Sequence, residues 1–510
     1  MRKSIKKQLL QLLITLKEAH DEIRMYLQTE ENTKVYHLLA DCQECAVSFG
    51  GTIEQFDKTQ EKIIKDLEEY CEYLFEISVC LDRNDQLNSA EIREKLNQYI
   101  ETIYHETENN IKVTLKITFM PYKASMWTSL ESIWEAAAGD ESCEVKVVVI
   151  PYYTLDSNGN EAELNYEAAL FPDYVPITDY RAYVLESERP DMIFIHNPYD
   201  GDNNVTRVPE QYYSYNLKQY TERLIYSPYG LMGYYNPNQG AFMCVTNAVH
   251  SSDKVLVQSE KVKNIYINHG IERNKILALG SPKIDAVIKG LKEPKTYPAE
   301  WKRKLEGRKV FLLNTHLSYF IYWYNYQKKY EKKESLAEWT HENILDNLLN
   351  REDCALIWRP HPLLKDTLKS RELYTTLDFI ELCERRIHES DNGVLDTKGD
   401  YALSFRLSDA LITTYSSMIS EYMISGKPVY IYERRLNETY CRRSPVSYIN
   451  NYYKARPGEE RKLPKFIDMV LNEEDPLYEK RMSDVHRAFS NLDGTIGENI
   501  YQCLKKEFVL

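Results

Sequence analysis

The chain has 510 residues, of which 43% are hydrophobic and 28% are charged, and its formal net charge at pH 7 is -14. This length exceeds what one hydrophobic core usually organises, so we expect two or three domains. The acidic balance argues against nucleic acid as a partner, because a phosphate backbone requires a basic face. A nucleotide requires only a local positive site and remains compatible with this charge.

Residues 1–108 predict an all-helical N-terminal extension without a catalytic cluster. Apolar residues recur at helical spacing with acidic residues on the opposite face: Ile64, Leu67, Cys71, Leu74 and Leu81. Gly50-Gly51 predicts a break between helices, and Asn88 followed by Glu91 predicts the start of another helix with a capping acid.

The cysteines and the N-terminus predict the compartment. The ten cysteines are scattered, and Cys42 and Cys45 have no second pair that would complete a zinc site, so we expect free thiols in a reducing cytoplasm. No secretory signal and no run long enough to span a membrane is visible. Two interpretations of the basic helix around Arg2–Leu16 stay open: packing against the next helix, or peripheral contact with the inner face of the cell membrane.

From Ile111 onward the pattern changes to alternating strands and helices. The strands are predicted at 111–119, 145–150, 192–195, 223–226, 255–258, 276–279, 310–313, 355–358, 410–413 and 428–432. The fold class is therefore α/β, with two Rossmann-like domains, 109–295 and 296–510, that face a cleft and are joined by a charged linker at 292–308. Ligands of such sheets bind at the carboxyl ends of the strands.

Polar residues follow four of these strands directly. The first domain contributes His196, and the second contributes Asn314-Thr315-His316, Arg359-Pro360-His361-Pro362 and Thr413-Thr414-Tyr415-Ser416-Ser417. A guanidinium, imidazoles and a hydroxyl-rich helix start suit a diphosphate. We expect Arg359 to clamp phosphate oxygens, and His361 to donate to a bridging or leaving oxygen. The amides of Ser416 and Ser417 would point at the phosphate along the helix dipole.

Several familiar ligand motifs are absent from the sequence. Neither a GxxxxGK[ST] nor a GxGxxG loop occurs, and no DxD follows a strand, so we expect no cofactor and no metal. The cationic side chains and the helix dipole would then stabilise the leaving phosphate. The 41 tyrosines are expected to form core and cleft walls rather than a sugar platform.

Three segments together resemble the CDP-glycerol glycerophosphotransferases, the primases and polymerases of wall teichoic acid. They are Gly280-Ser281-Pro282-Lys283-Ile284-Asp285, the Arg-Pro-His-Pro at 359–362, and the segment from Ser408 to Ser417. In order and spacing the resemblance spans residues 111–500. It implies a GT-B fold and metal-independent transfer of a polyol phosphate from a CDP-glycerol or CDP-ribitol donor. It also implies release of CMP, and as acceptor a glycan or a lipid-linked polyol phosphate.

The resemblance also assigns residues by position. Arg359, His361, Ser416 and Ser417 would hold the donor diphosphate, and Glu421 would contact the ribose or the glycerol. The basic residue that follows Gly-x-Pro in the family corresponds to Lys283. Thr315, at the end of its strand, is grouped with these donor-binding residues.

The chain departs from the family pattern in two places. Thr414 stands where the family has Asp, and the first-domain Trp-His-Gly, whose histidine is the presumed base, corresponds to a segment at 225–230 without histidine. His196 is our replacement for the base, because an imidazole at a strand end is suited to take a hydroxyl proton near neutral pH. Two alternatives stay open: a GT-B glycosyltransferase with a nucleotide-sugar donor, and a catalytically idle scaffold.

Overall fold

The computed structural model describes residues 1–156, 158–203, 205–233, 240–331, 335–398, 401–414, 416, 418–432, 452–456 and 458–509. Two compact units are present. The first comprises Met1–Lys116 with Asp140–Glu144 and Val509, and the second comprises Ile117–Gly139 with Val145–Phe508. The predicted boundary between two domains at residue 295 lies inside the second unit and stays a prediction.

The first unit is built on four long helices, as the apolar stripes predict. They are α1 (Lys3–Gln28), α2 (Asn32–Phe56), α3 (Glu61–Asp82) and α4 (Ser89–Asn110). Helix α1 packs on α2 and α4, and α3 packs on the same two helices. The predicted start of α4 is confirmed, because the Asn88 side chain accepts hydrogen bonds from the amides of Ala90 and Glu91.

The predicted break at Gly50-Gly51 is wrong, because both glycines lie inside α2. A Cβ built on Gly50 would lie 3.7 Å from side-chain atoms of Ile64 and Leu67 on α3. The chain instead leaves helical geometry before Asn32 and after Phe56.

A buried polar layer crosses the core of this helical unit. The His20 side chain is fully buried, with its Nδ1 2.8 Å from Asn97 Oδ1 and its Nε2 2.7 Å from the Tyr70 hydroxyl. Both ring nitrogens therefore have partners inside the protein. Burial lowers the pKa of His20 to about 4.

The second unit contains three sheets. Its strands are β1 (Leu115–Met120), β2 (Cys143–Val149), β3 (Tyr152–Leu155), β4 (Glu161–Asn165), β5 (Ile177–Asp179), β6 (Met192–Ile195), β7 (Thr206–Arg207), β8 (Arg223–Tyr226), β9 (Lys254–Leu256), β10 (Ile276–Leu277), β11 (Lys309–Thr315), β12 (Cys354–Pro360), β13 (Gly393–Leu395), β14 (Ala410–Thr413), β15 (Val429–Tyr432) and β16 (Tyr453–Ala455). The larger sheets have the orders β10-β9-β8-β6-β1-β2-β5 and β13-β12-β11-β14-β15-β16, and a small antiparallel sheet has the order β4-β3-β7.

Helices lie between these strands, and three more follow β16. They are α5 (Glu131–Ala138), α6 (Leu185–Glu188), α7 (Ser214–Leu217), α8 (Asn247–Ser251), α9 (Glu260–Asn268), α10 (Pro282–Lys292), α11 (Ala299–Leu305), α12 (Leu317–Lys329), α13 (Leu336–Leu349), α14 (Leu364–Ser370), α15 (Tyr374–Glu389), α16 (Ala402–Leu407), α17 (Met418–Tyr422), α18 (Lys462–Leu471), α19 (Tyr478–Ala488) and α20 (Ile496–Val509). Parallel strands with helical crossovers bury both sheet faces, which explains the continuous apolar runs of β6, β11 and β12.

Each predicted strand is present. The bounds of 192–195, 223–226 and 410–413 are confirmed, and the other predicted strands have shifted ends. The first begins at Leu115 rather than at Ile111, because Ile111 directly follows the end of α4. The six-stranded sheet is parallel throughout, and its central strand β11 pairs with β12 on one side and with β14 on the other. This pairing brings the three polar segments of the second half together at one sheet edge.

Candidate active site

Asn314 joins the three strand ends of the six-stranded sheet. It is opposite Arg359 of β12 and Thr413 of β14 in the strand register. Its Nδ2 donates to the carbonyl of Arg359 at 2.9 Å, and its Oδ1 accepts from Ser416 Oγ at 3.0 Å. The sequence places Asn314 at a strand end but does not predict it to be a site residue. Its role depends on contacts between distant segments that a local pattern does not show.

The helix start predicted after β14 is present, and the contact of Ser416 with the donor phosphate stays a prediction. Ser416 precedes α17, and its hydroxyl is fixed by Asn314. Ser417 lies outside the described residues, so its role in donor binding stays a prediction. Thr414 Oγ1 accepts a hydrogen bond from the amide of His316 at 3.0 Å, so the threonine supplies an oxygen acceptor where the family has Asp.

Two imidazoles meet at the ends of β11 and β12. The ring centroids of His316 and His361 are 4.9 Å apart, with the ring planes at 79°. His316 Nδ1 accepts from the amide of Ser318 and caps α12, and His361 Nδ1 accepts from the amide of Leu363. In the neutral rings the proton therefore resides on Nε2. Within the described chain neither Nε2 has a hydrogen-bond partner, so both rings retain a free N–H donor.

Both imidazoles are neutral at pH 7 in the absence of ligand. Burial and the neighbouring His316 lower the pKa of His361 to about 4, and burial lowers the pKa of His316. A phosphate group near the two Nε2 atoms would favour the charged form and raise both pKa values. His316 is a candidate that the sequence predictions placed at a strand end but left out of the site.

Arg359 is positioned differently from the phosphate clamp that the sequence predicts. Its Nη1 lies 2.6 Å from Asp396 Oδ2, both side chains are buried, and its Nη2 donates to the carbonyl of Lys398 at 2.6 Å. Asp396 also accepts from the Ser404 hydroxyl and from the amide of Lys398. The guanidinium therefore holds the loop after β13, and its predicted role as a phosphate clamp stays a prediction.

Lys283 and Glu421 form a buried ion pair. Their charged atoms are 2.6 Å apart, and only 16% and 7% of the two side chains are exposed. Lys283 Nζ also lies 3.4 Å from the carbonyl of Tyr229, in the segment that follows β8. The two predicted donor-binding residues thus bind each other and connect the strand ends of the two larger sheets.

Thr315 is fully buried, and its hydroxyl lies 3.4 Å from that of Tyr432. Its carbonyl accepts from the amide of His361. Thr315 therefore positions the backbone of His361, and its side chain faces the protein interior.

His196 is fully buried below the strand ends of the first sheet. Its Nε2 accepts from the amide of Tyr122 at 3.2 Å, and its Nδ1 is 3.2 Å from Ser129 Oγ. Burial lowers its pKa to about 3. A general base must reach the proton that it removes. The burial and the two hydrogen bonds argue against the predicted catalytic role of His196 and favour a structural role.

A cavity of about 380 Å³ lies between the strand ends of the two larger sheets. The first sheet contributes the segments after β8, β9 and β10, and the second contributes residues after β11 and β14, among them His316 and Ser416. Of the other predicted site residues within the described chain, none lines the cavity, although Lys283 and Glu421 directly follow the lining residues Pro282 and Ser420.

Two further polar residues of the cavity wall were not predicted. Gln258 is buried, and its Oε1 accepts from the amide of Met232 at 2.6 Å, which fixes the chain directly after the 225–230 segment. The Ser281 hydroxyl is buried and has no hydrogen-bond partner within the described residues. Among the described lining residues, His316 is the only imidazole.

The described residues contain no group of three or more His, Cys, Asp or Glu side chains arranged to hold a metal ion. The described helices also include none that is long and apolar enough to cross a membrane.

The two parallel sheets and the cavity between them define a GT-B-type fold. The chain is similar in fold to the S. aureus protein MnaA in a co-structure with UDP, with a TM-score of 0.50 and 13% identity, over 78% of this chain and 98% of that one. A structure of the wall teichoic acid polymerase TagF matches with a TM-score of 0.47 and 14% identity, over 88% of this chain and 98% of that one.

Residues 231–506, more than half of the chain, match the family CDP-glycerol:poly(glycerophosphate) glycerophosphotransferase, and the chain belongs to that family. A teichoic acid poly(ribitol-phosphate) polymerase of Bacillus spizizenii (strain ATCC 23059 / NRRL B-14472 / W23) is 23% identical over 251 residues, which are 48% of this chain. The match spans 36% of that relative, about a third of its length. The resemblance seen in the three sequence segments is confirmed.

Proposed function

We propose that this protein transfers glycerol phosphate, or a related polyol phosphate, from a CDP-alditol to a hydroxyl of a glycan or teichoic-acid-like acceptor. The family supports polyol-phosphate transfer in teichoic acid synthesis. The cavity between the two sheets offers room for a donor beside Ser416 and His316. In a sheet of this topology the carboxyl edge is where ligands bind.

The observation that carries the proposal is the pair of free Nε2–H donors on His316 and His361. The centroids of the two imidazole rings are 4.9 Å apart. Two neutral N–H donors on neighbouring rings are suited to bind neighbouring oxygens of a diphosphate. The hydrogen bonds at Nδ1 orient both rings before the donor arrives, which is the preorganisation that stabilises developing charge.

In the proposed reaction the acceptor hydroxyl attacks the phosphorus that bears the polyol. A new P–O bond forms to the acceptor, and the bond between that phosphorus and the bridging oxygen breaks. CMP leaves with the bonding electrons, and the hydroxyl proton passes to a base. Nε2–H donation to the bridging and non-bridging oxygens stabilises the negative charge of the departing CMP. His316 is our candidate for the group that contacts the reacting atoms from the cavity wall.

The remaining residue assignments follow from this proposal. Ser416 and Ser417 would bind the donor phosphates, and Arg359 and Thr315 would position the strand ends from below. Lys283 and Glu421 would hold the two sheet edges around the donor. We further propose that residues 296–510 bind the donor, that residues 109–295 bind the acceptor, and that no metal takes part.

We also propose that the reaction takes place in the cytoplasm, with peripheral contact at the inner face of the membrane through a lipid-linked acceptor. Lys6, one of the basic residues of α1, donates to the carbonyls of Glu108 and Ile111, so it is engaged within the helical unit. Flotation with anionic liposomes, with and without an added lipid-linked acceptor, tests this. Flotation that requires the acceptor supports the proposal, and no flotation in either case contradicts it.

The transfer itself is tested by CMP release from CDP-glycerol and from CDP-ribitol in the presence of candidate acceptors. We expect turnover with one of the two donors and none with UDP-sugars. Turnover with a UDP-sugar would indicate a glycosyltransferase instead. Binding of CDP-alditols without turnover with any acceptor would indicate a scaffold.

A further inference from the structure

A second large groove lies in the first half of the second unit, away from the central cavity. It has a volume of about 520 Å³ and is lined by four tyrosines, Tyr180, Tyr183, Tyr212 and Tyr220, with polar residues between them. It begins directly after β5, and none of its lining residues borders the central cavity. Tyr183 and Tyr212 belong to the buried core, as expected for the tyrosines, whereas Tyr180 and Tyr220 are half-buried.

The tyrosine rings of this groove are held in place. The Tyr183 hydroxyl is 2.7 Å from Thr118 Oγ1, in the interior below the groove. The Tyr220 hydroxyl donates to Glu186 Oε1 at 3.0 Å. The Tyr180 ring meets the Tyr166 ring edge to face, with centroids 5.1 Å apart. Because the rings are already ordered, a ligand that contacts them incurs little side-chain entropy loss.

Planar polar side chains line the same groove. The Asn216 amide donates to the carbonyl of Glu210 at 2.8 Å, which leaves its carbonyl oxygen open as an acceptor. Glu186 uses one carboxylate oxygen for Tyr220 and presents the other, and Gln211 adds an exposed amide. The Tyr180 hydroxyl has no hydrogen-bond partner within the described residues. The groove therefore offers donors and acceptors side by side, as vicinal hydroxyls require.

The charges of the groove disfavour an anionic ligand. Arg181 contacts both carboxylate oxygens of Asp179, and Glu186 adds a second carboxylate to the groove. A phosphate would be repelled by Glu186, whereas an uncharged hydroxylated ligand would be bound by it. The volume lies in the range of pockets for small organic ligands.

We propose that this groove is a saccharide-binding site that takes a pyranose ring of a neutral glycan. The flat C–H face of the sugar packs on a tyrosine ring, and its hydroxyls bind Glu186, Gln211 and Asn216. A linear polyol lacks that flat face and is not retained. The assignment of this site to the glycan part of the acceptor rests on the proposed function, whereas saccharide binding does not.

Calorimetry and saturation-transfer NMR on the full chain test the site. The probes are disaccharides of glucose, galactose and N-acetylglucosamine, with glycerol as the linear control and CDP as the probe of the central cavity. We expect one disaccharide to bind with a Kd on the order of 1 mM and glycerol not to bind. Tyr180→Ala and Glu186→Gln should each weaken this binding about tenfold. Tyr374→Ala, an exposed tyrosine on α15, is the matched control and should not weaken it.

The outcomes separate this inference from the proposed function. No disaccharide binding, or binding unchanged in both groove variants, overturns the saccharide site even when CDP binds. Disaccharide binding without CDP binding leaves the saccharide site standing and contradicts the proposed transfer. Circular dichroism of Tyr180→Ala identifies misfolding, and the Glu186→Gln variant then decides, because it preserves the side-chain volume.

Discussion

The helical unit contains a fully buried histidine and the edge of the six-stranded sheet contains two half-buried ones, and their ring nitrogens are used in opposite ways. In the helical unit, both ring nitrogens of His20 are bound by Asn97 and Tyr70. At the sheet edge, His316 and His361 bind the described part of the chain through Nδ1 and not through Nε2. His20 and His361 share a pKa lowered to about 4, so the pKa does not distinguish them. What distinguishes a site from a core is the hydrogen-bonding capacity left open.

His196 resembles His20, although its position at a strand end suggests a site histidine like His316 and His361. It comes directly after a strand, yet both of its nitrogens contact the protein interior. A strand-end histidine is therefore a site residue only where one of its nitrogens is available to a ligand.

The largest effect is expected from a substitution that breaks the buried ion pair between Lys283 and Glu421, next to the cavity. Glu421→Ala removes the partner of buried Lys283, and leaving one buried charge unpaired costs about 3–5 kcal/mol. Denaturant titration should show this loss as a lower free energy of unfolding. The double variant Lys283→Met with Glu421→Leu is the matched control and should recover most of it. An unchanged stability in Glu421→Ala would show that the pair is not formed.

The next largest effect is expected on CMP release when the Nε2–H donor of His316 or of His361 is removed. His316→Ala and His361→Ala should each lower CMP release about 10²- to 10³-fold, as expected for lost stabilisation of a leaving group. His316→Ala also removes the cap of α12 and should lower the stability by about 1 kcal/mol, too little to unfold the protein. His250→Ala, an exposed histidine outside the cavity, is the control. Full activity in both variants would contradict our assignment of the site.

Acidification should destabilise the helical unit, because both ring nitrogens of His20 have hydrogen-bond partners and its pKa is lowered. The pKa of His20 is about 4 in the folded protein and about 6.5 in an unfolded chain, so below pH 6.5 the unfolded state binds a proton that the folded state does not. The His20 contribution to stability should be nearly constant above about pH 7.5 and should fall by about 3 kcal/mol on acidification to pH 4. Burial is the main cause, while nearby Asp21 raises the pKa, and Arg93 and Lys17 lower it.

Hydrogen exchange of the amides of α1–α4 under denaturant measures this loss. His20→Gln, which does not titrate, should abolish that part of the pH dependence. The same slope in wild type and variant would contradict the saturated network.

The smallest effect is expected at the N-cap of α4, a feature that the local sequence predicts without tertiary contacts. Asn88→Ala removes the side-chain cap of α4 and should cost about 1 kcal/mol, while Asn88→Ser should retain most of the stability. Denaturant unfolding of the two variants gives the difference. Equal stability of the two would show that the cap contributes little.

The sequence predicts the parts of the fold that depend on local pattern. Apolar runs locate the strands, and the topology of parallel sheets brings the segments after β11, β12 and β14 to one edge. Side-chain partners are less predictable, because they depend on contacts between distant segments. Arg359 meets Asp396, which is 37 residues away, and no local signal distinguishes that partner from a phosphate. The burial of His196 likewise depends on how Tyr122 and Ser129 close over it.

The central claim is that His316 and His361 bind the donor diphosphate through their open nitrogens. NMR of ¹⁵N-labelled histidine side chains, assigned with single His→Ala variants and titrated with CDP, tests it most directly. We predict that CDP shifts the Nε2 signals of His316 and His361 and raises both pKa values, with no change at His20 or His196. CDP binding that leaves the signals of His316 and His361 unchanged would contradict the claim.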